Sequence, residues 1–406
     1  MTESYAMHRI KSTLMAFLRR PMPAALFRAF YSVLRLLVPT NPKQIGFTSG
    51  PDLADNSFAL FEKLVKSPRA HEYRLVWMVK NARASEKVLR REFPNAYLGN
   101  VSIVTNFSLR GMWAYLRCRY LFFTHGVFLF GRSWYPQTIV NLWHGMPIKT
   151  IGSYDGRRQD TFCIMHYTVA TSNYFAGIMA KSFYLPRGRV LVTGLPRNEW
   201  LFVQEERYLD IKEGRAKLVA WLPTYRNSYI GEIRVDSDAN SPDPLGADTL
   251  SKLDGLLDGV DAMLVIKLHQ MDSKNQQFWP SYRNIRFYTD PRFQAEGLNL
   301  YKFLACSDAL VTDFSSCAID YLLLNKPIGI FAPDKSSYIR GFMPDVLEKV
   351  TAVCHPLDSV EEFGAFVTNL PAQHKVTPEQ EDLYQIDLRS PSEDILRAVG
   401  LADLAQ

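Results

Sequence analysis

The sequence predicts an α/β protein built from two doubly wound, mainly parallel sheets. Three observations predict it. Short apolar runs of strand length alternate with helical periodicity from Gln44 onward, which is the signature of a parallel sheet with crossover helices. That alternation breaks once, at the charged stretch Gln204 to Lys217, and then restarts. At 406 residues, with 47% hydrophobic and 22% charged side chains, the chain has globular composition and is longer than one core usually grows.

Taken in order, Gln44 to Thr48 reads as the first strand, Asp55 to Ser67 as a helix, and Tyr73 to Val79 as the next strand. Ala84 to Phe93 (helix), Val101 to Thr105 (strand), Leu109 to Arg117 (helix), Tyr120 to Phe123 and Ile139 to Trp143 (strands) follow. Thr168 to Ala170 and Val190 to Val192 continue the pattern up to the charged stretch. The second half restarts with a strand at Leu218 to Leu222, a helix near Thr249 to Leu257, and strands at Ala262 to Leu268 and Ile285 to Tyr288. A helix at Tyr301 to Cys306, a strand at Ala309 to Val311, a helix at Ser315 to Leu324 and a strand at Ile328 to Phe331 complete it. Between the halves' elements, Asn227 to Gly246 is rich in Asp, Ser, Pro and Gly and reads as a long loop. Two Rossmann-like domains facing each other across a cleft is the simplest architecture, with boundaries at residues 1–42, 43–210 and 211–406.

The first 42 residues differ in kind. From Met7 to Val38, apolar residues recur at helical spacing, and Pro21 and Pro23 divide two helices. Between Ser4 and Pro51 there is no Asp or Glu, while Arg9, Lys11, Arg19, Arg20, Arg28, Arg35 and Lys43 supply seven cations. A basic amphipathic helical segment of this kind suits an anionic membrane surface, and equally a helical pair packed on the domain behind it. A second acid-free stretch runs from Phe93 to Tyr154. The longest apolar runs are far shorter than the roughly 20 residues that span a bilayer, so a soluble or peripheral protein is expected. Five cysteines without C-x-x-C spacing read as reduced core residues, and Arg19-Arg20 interrupt any signal-peptide core, which points to the cytoplasm and the inner face of the membrane.

Chemistry concentrates at strand ends. In Trp143-His144-Gly145-Met146-Pro147-Ile148-Lys149, a histidine able to take a proton near neutrality leaves a strand, Gly145 permits close backbone approach, and Lys149 offers a cation to phosphate. Gly194-Leu195-Pro196-Arg197-Asn198-Glu199 follows Val190 to Val192 and puts Arg197 at the mouth of the sheet, where a guanidinium can hold phosphate bidentately. Pro223-Thr224-Tyr225-Arg226 and Lys267-Leu268-His269 close two strands of the second half in the same way. Thr312-Asp313-Phe314-Ser315-Ser316 lies between a strand and a helix, so Ser315 or Ser316 is expected at the N-cap, with Asp313 placed to orient a histidine or accept from a ribose hydroxyl. Taken singly, each block also fits ordinary structural chemistry, such as a core histidine or a capping serine. His8, His71, His125, His166, His355 and His374 have no metal-ligand spacing, and no metal site is expected. No G-x-x-x-x-G-K-[ST] loop and no convincing G-x-G-x-x-G are present, which argues against kinase-like and NAD chemistry, and no basic recognition helix suggests nucleic acid.

In this order the blocks resemble the CDP-glycerol glycerophosphotransferase family, the teichoic-acid primases and polymerases of GT-B fold. The resemblance covers roughly Gln137 to Asp334. Members carry W-H-G-T-P, G-x-P-R-N-D, P-T-[WY]-R, R-x-H-P and T-D-Y-S-S; this chain departs at Met146, Glu199, Lys267, Gln270 and Phe314. The resemblance implies an N-terminal acceptor domain, a C-terminal CDP-donor domain, and transfer of glycerol phosphate (or a related polyol phosphate) from CDP-glycerol or another CDP-alcohol to a hydroxyl of a lipid-linked glycan or polyol-phosphate acceptor, releasing CMP, in teichoic-acid or capsule-type polymer synthesis. It implies His144 and His269 as the catalytic pair, with Gly145, Lys149, Arg197, Asn198, Thr224, Arg226, Lys267, Thr312, Asp313, Ser315 and Ser316 binding substrate. No cofactor is implied. The competing readings are a GT-B glycosyltransferase using a nucleotide sugar, a CDP-ribitol ribitolphosphotransferase, and a non-catalytic membrane-associated nucleotide-binding protein.

Overall fold

The computed structural model describes residues 33–34, 36–94, 98–126, 136–155, 165–224, 245–269, 279–333, 341–371, 373–374, 377–385 and 390–405. The first sheet contains β1 (Asn41–Thr48), β2 (Arg74–Val79), β3 (Val101–Thr105), β4 (Cys118–Phe123), β5 (Thr138–Asn141), β6 (Tyr167–Ala170) and β7 (Val190–Val192), in the order β3-β2-β1-β4-β5-β6-β7. The second contains β8 (Lys217–Leu222), β9 (Ala262–Lys267), β10 (Ile285–Tyr288), β11 (Ala309–Thr312), β12 (Ile328–Phe331) and β13 (His355–Leu357), in the order β10-β9-β8-β11-β12-β13. The pairings are parallel, for example Gln44↔Arg74 between β1 and β2, and Thr312↔Leu222 between β11 and β8. This is the α/β architecture of two parallel sheets that the strand and helix alternation predicts.

Each sheet grows outward from its first strand and then reverses, so each has a topological switch point, β1 beside β4 and β8 beside β11. Ligands of open α/β sheets bind beyond the carboxyl ends of the strands at such points. The strands are apolar along most of their length because helices cover both faces. In the first sheet Phe47 stacks on Trp77 at 5.3 Å and on Phe122 at 5.8 Å between ring centres, on β1, β2 and β4 respectively. In the second, Trp221 meets Phe331 at 5.6 Å and Phe363 at 5.4 Å, binding β8, β12 and the helix Val360–Thr368 into one core.

The chain divides into two compact units: Met1–Trp143 with Phe162–Thr168 and Leu396–Gln406, and His144–Thr161 with Val169–Ile395. The break therefore falls inside the Trp143-His144 dipeptide. Most predicted elements match to within two or three residues. The helix expected over Ser315 to Leu324 is instead a short helix at Cys317–Tyr321 that tightens into a 3₁₀ turn at Leu322–Leu324. Beyond Phe331, where the sequence reading stops, lie β13 and the helices Val346–Val353, Val360–Thr368 and Pro391–Ala398. All but residues 33–34 and 36–38 of the basic helical segment expected over Met7 to Val38, and nearly all of the loop at Asn227 to Gly246, lie outside the described residues. Cys118, Cys306, Cys317 and Cys354 are free thiols; Cys163 lies outside the described residues. Among the described residues, no helix is long and apolar enough to cross a membrane.

Candidate active site

The turn after β5 is held by two buried amides. Asn141 Oδ1 accepts from the Trp143 backbone N–H at 2.9 Å, and Asn56 Nδ2 donates to the carbonyls of Leu142 and Trp143 at 3.0 and 2.9 Å. Asn56 lies in the first turn of the helix Asp55–Lys66 that follows β1. Trp143 has φ +53°, a conformation uncommon for a bulky residue, which persists only where surrounding bonds enforce it. The chain reverses there, and the next residue, His144, is exposed to solvent.

Within the second unit, Gly145 has φ +119°, and a Cβ on it would overlap Ser316 Oγ and lie 2.8 Å from both Ser316 Cβ and Arg197 Nη2. Only glycine fits. The strand-end histidine block, the Gly194-to-Glu199 block and the Ser315-Ser316 block therefore meet at one point. A second tie runs beside it: Met343 N–H donates to the Ile148 carbonyl at 2.8 Å, Thr150 N–H donates to the Gly341 carbonyl at 2.9 Å, and Lys149 bridges Phe342. The Phe342 ring packs on buried Phe314 at 4.8 Å between centres. Phe314 thus uses its ring for packing.

Arg197 does not stand open at the mouth of the sheet, as its sequence position suggests. Its Nη2 donates to Asp320 Oδ2 at 2.7 Å, and its guanidinium lies over the Tyr301 ring at 4.7 Å from the centre. Asp320 is fully buried and also accepts from Tyr301 Oη at 2.6 Å and from Asn198 Nδ2 at 3.2 Å. A buried carboxylate meeting three donors, one of them cationic, recovers much of its lost hydration and fixes the guanidinium's direction. Asn198 Nδ2 also donates to Tyr384 Oη at 3.3 Å, and burial keeps that phenol's pKa well above the usual tyrosine value, so it stays protonated.

The β8/β11 switch point is closed by Asp313. Its carboxylate accepts from the Thr224 backbone N–H (3.1 Å), the Thr224 hydroxyl (2.8 Å) and the Phe314 N–H (2.7 Å), while Thr312 Oγ1 donates to the Leu222 carbonyl at 2.6 Å. Asp313 and Thr312 thus fasten the two strand ends, rather than presenting open ligand groups as the sequence reading expects. Lys267 is likewise committed, its ammonium bonded to Asp290 and to the Leu268 carbonyl. Ser316 occupies the N-cap position in a helical conformation without a side-chain cap bond, whereas Ser315 Oγ accepts from Cys317 N–H at 3.3 Å. The expected capping role therefore falls to Ser315, and the Ser316 hydroxyl is directed at Gly145. His269 follows β9, half-buried, at the same edge of the sheet; Arg226 lies outside the described residues. Among the described residues, no cluster of three or more metal-ligating side chains occurs.

Four residues central to this arrangement escaped sequence reasoning: Asn56, Tyr301, Asp320 and Tyr384. Asp320 alone carried a signal, an acid set between Ile319 and Tyr321 in an otherwise apolar helix.

Comparison with known proteins follows the same lines. The CDP-Glycerol:Poly(glycerophosphate) glycerophosphotransferase family profile matches residues 30–389. The teichoic acid poly(glycerol phosphate) polymerase of Bacillus spizizenii is 25% identical over 354 residues, covering 79% of this chain and 82% of the relative. The teichoic acid glycerol-phosphate transferase of Staphylococcus aureus is 25% identical over 383 residues, covering 82% of this chain and 88% of the relative. The solved wall teichoic acid polymerase TagF superposes with a TM-score of 0.67 at 20% identity over 98% of this chain and 96% of that one, a likeness of fold.

Proposed function

The chain belongs to the CDP-glycerol:poly(glycerophosphate) glycerophosphotransferase family, and from that premise we propose how its residues transfer glycerol phosphate from CDP-glycerol to an acceptor hydroxyl in teichoic acid synthesis. The carrying observation is the convergence of Gly145, Ser316 and Arg197, three blocks far apart in sequence, on one point beside the exposed His144.

In this reading His144 takes the proton of the acceptor hydroxyl as its oxygen attacks the β-phosphorus of CDP-glycerol. The P–O bond to CMP breaks, CMP leaves, and glycerol phosphate stays on the acceptor. General-base catalysis of this kind is worth typically ~10²–10⁴ in rate. Phosphoryl transfer depends chiefly on positioning and on stabilising charge at the phosphoryl and leaving oxygens. Arg197, aimed by Asp320, and the Ser316 hydroxyl are assigned to that charge, with His269 and Lys149 completing the diphosphate site. The absence of a side chain at Gly145 lets the histidine turn approach them. Thr224, Thr312 and Asp313 support the site by tying the ends of β8 and β11 together.

The acceptor assigned here is a polyol-phosphate or glycan carried on a lipid, and the basic first 42 residues would hold the chain at an anionic membrane, at ~1 kcal/mol for each Lys or Arg near the surface. Purified protein is tested with CDP-glycerol, CDP-ribitol and UDP-sugars while CMP and elongated product are measured. Release of CMP from CDP-glycerol, lost in His144→Ala with an unchanged circular dichroism spectrum, is expected. Turnover with a UDP-sugar alone, or an active His144→Ala protein, refutes the reading.

A further inference from the structure

We propose that the helix Leu109–Arg117, the crossover between β3 and β4, is a second membrane contact that lays its outer face against an anionic lipid surface. The inference rests on the membrane reading above but concerns described residues outside the N-terminal segment.

The helix has two distinct faces. Its inner face buries Gly111, Ala114, Tyr115 and Leu116. Its outer face carries Leu109, Arg110, Trp113 and Arg117, which at about 100° per residue fall within a stripe of about 100° of its circumference. Leu109 is 82% exposed and Trp113 54%, and Phe107 in the preceding turn is 55% exposed. Exposed leucine and tryptophan in one strip, with an exposed phenylalanine in the turn before it, are not needed for folding, since each leaves apolar area in water that burial would stabilise.

The helix is nevertheless rigidly held. Ser108 Oγ accepts from Gly111 N–H at 3.0 Å at its start, and Gln137 Nε2 donates to the carbonyls of Tyr115 and Cys118 at 2.8 Å at its end. The outer strip is thus presented on a fixed element and is not the frayed edge of a loose one.

Its charge selects the occupant. No Asp or Glu occurs from Phe93 through Tyr154, and the Arg117 guanidinium lies 5.9 Å from the centre of the Trp113 ring. Aromatic rings and aliphatic side chains among arginines, without carboxylates, are the composition of surfaces that lie in the headgroup region of anionic bilayers. The strip runs the length of the crossover, from Phe107 and Leu109 after the carboxyl end of β3 to Arg117 just before the amino end of β4.

The test uses the full chain with vesicles of phosphatidylcholine alone and of phosphatidylcholine with phosphatidylglycerol, read by co-sedimentation across a salt series. Two paired variants are compared, Leu109→Ser with Trp113→Ser, and Arg110→Gln with Arg117→Gln, each checked by circular dichroism and by turnover of a water-soluble acceptor. Expected are binding of the parent to anionic vesicles only, a loss of about 30-fold for the arginine pair, a loss of at least about tenfold for the apolar pair, and soluble turnover within twofold of the parent. If the parent binds and both pairs bind within twofold of it, the helix is not the contact, although the membrane reading survives. A parent that binds no vesicle overturns both. Sedimentation velocity covers the remaining occupant: a parent dimer that either pair dissociates assigns the strip to a second copy of the chain and overturns the proposal.

Discussion

Replacing Gly145 by alanine tests the candidate site at its tightest point. The new Cβ would overlap Ser316 Oγ and sit 2.8 Å from Ser316 Cβ, so rotating the serine hydroxyl away does not clear the space. Nor can Arg197 retreat freely, because its Nη2, also 2.8 Å away, is bonded to Asp320 at 2.7 Å in a buried pair. The backbone at φ +119° adds strain of about 1–3 kcal/mol for a residue with a side chain. The turn must therefore move, and displacing a catalytic group by about 1 Å costs about 10²-fold in rate. Steady-state transfer from CDP-glycerol should show kcat lowered by about 10²-fold, with the thermal midpoint lowered by several degrees through the strain and the clash together. Adding Ser316→Gly removes both serine contacts but leaves the φ strain and deletes a proposed phosphate ligand, so it should restore thermal stability more than turnover. Gly145→Ala with kcat within threefold of the parent would refute the argument that these blocks form a close-packed reaction site.

Asp320→Asn leaves the buried Arg197 cation without its counter-ion and should cost about 3–5 kcal/mol of stability by chemical denaturation, whereas the double change Asp320→Leu with Arg197→Met should cost less than the single one; equal losses would mean that the pair is not electrostatically coupled. Asn56→Ala strips hydrogen bonds from the carbonyls of Leu142 and Trp143 and should destabilise by about 1–3 kcal/mol, with kcat falling more than KM rises; an unchanged kcat would show that the β5 turn holds its shape without it. Burial pushes the Cys118 thiol up to about 12 from an ordinary value of 9.0. Its contribution to stability is therefore complete below pH 9 and is lost as pH rises from 9 towards 12. Native protein at pH 8 should leave Cys118 unmodified by a thiol reagent that labels it after denaturation, and rapid native labelling would contradict that burial.

The sheets were legible in the sequence because a strand covered on both faces must be apolar along its length, and runs such as Leu75 to Val79 or Met263 to Ile266 admit few other readings at that length between turn residues. The family resemblance was legible for a related reason: His144, Arg197 and Ser316 stand in short polar blocks that each follow an apolar strand-length run, and such blocks are easily told from the runs around them. The end of the chain was harder. Helices such as Val360–Thr368 mix Glu361, Glu362, Phe363 and Phe366 over only nine residues, too short for periodicity to speak clearly.

Sequence alone determined that two parallel sheets form and which polar blocks end their strands, since both follow from local spacing and from the solvation of single side chains. Only the tertiary structure decided what those polar groups are used for. Asp313 and Lys267 look like ligand groups in sequence, yet one fastens β8 to β11 and the other pairs with Asp290. Asp320, Asn56 and Tyr301 carry no motif, yet they orient the arginine and the histidine turn. The partner of a polar side chain is set by a contact between residues tens to hundreds of positions apart, as between Arg197 and Asp320, and that pairing is fixed when the core packs, not by the residues beside it in the chain.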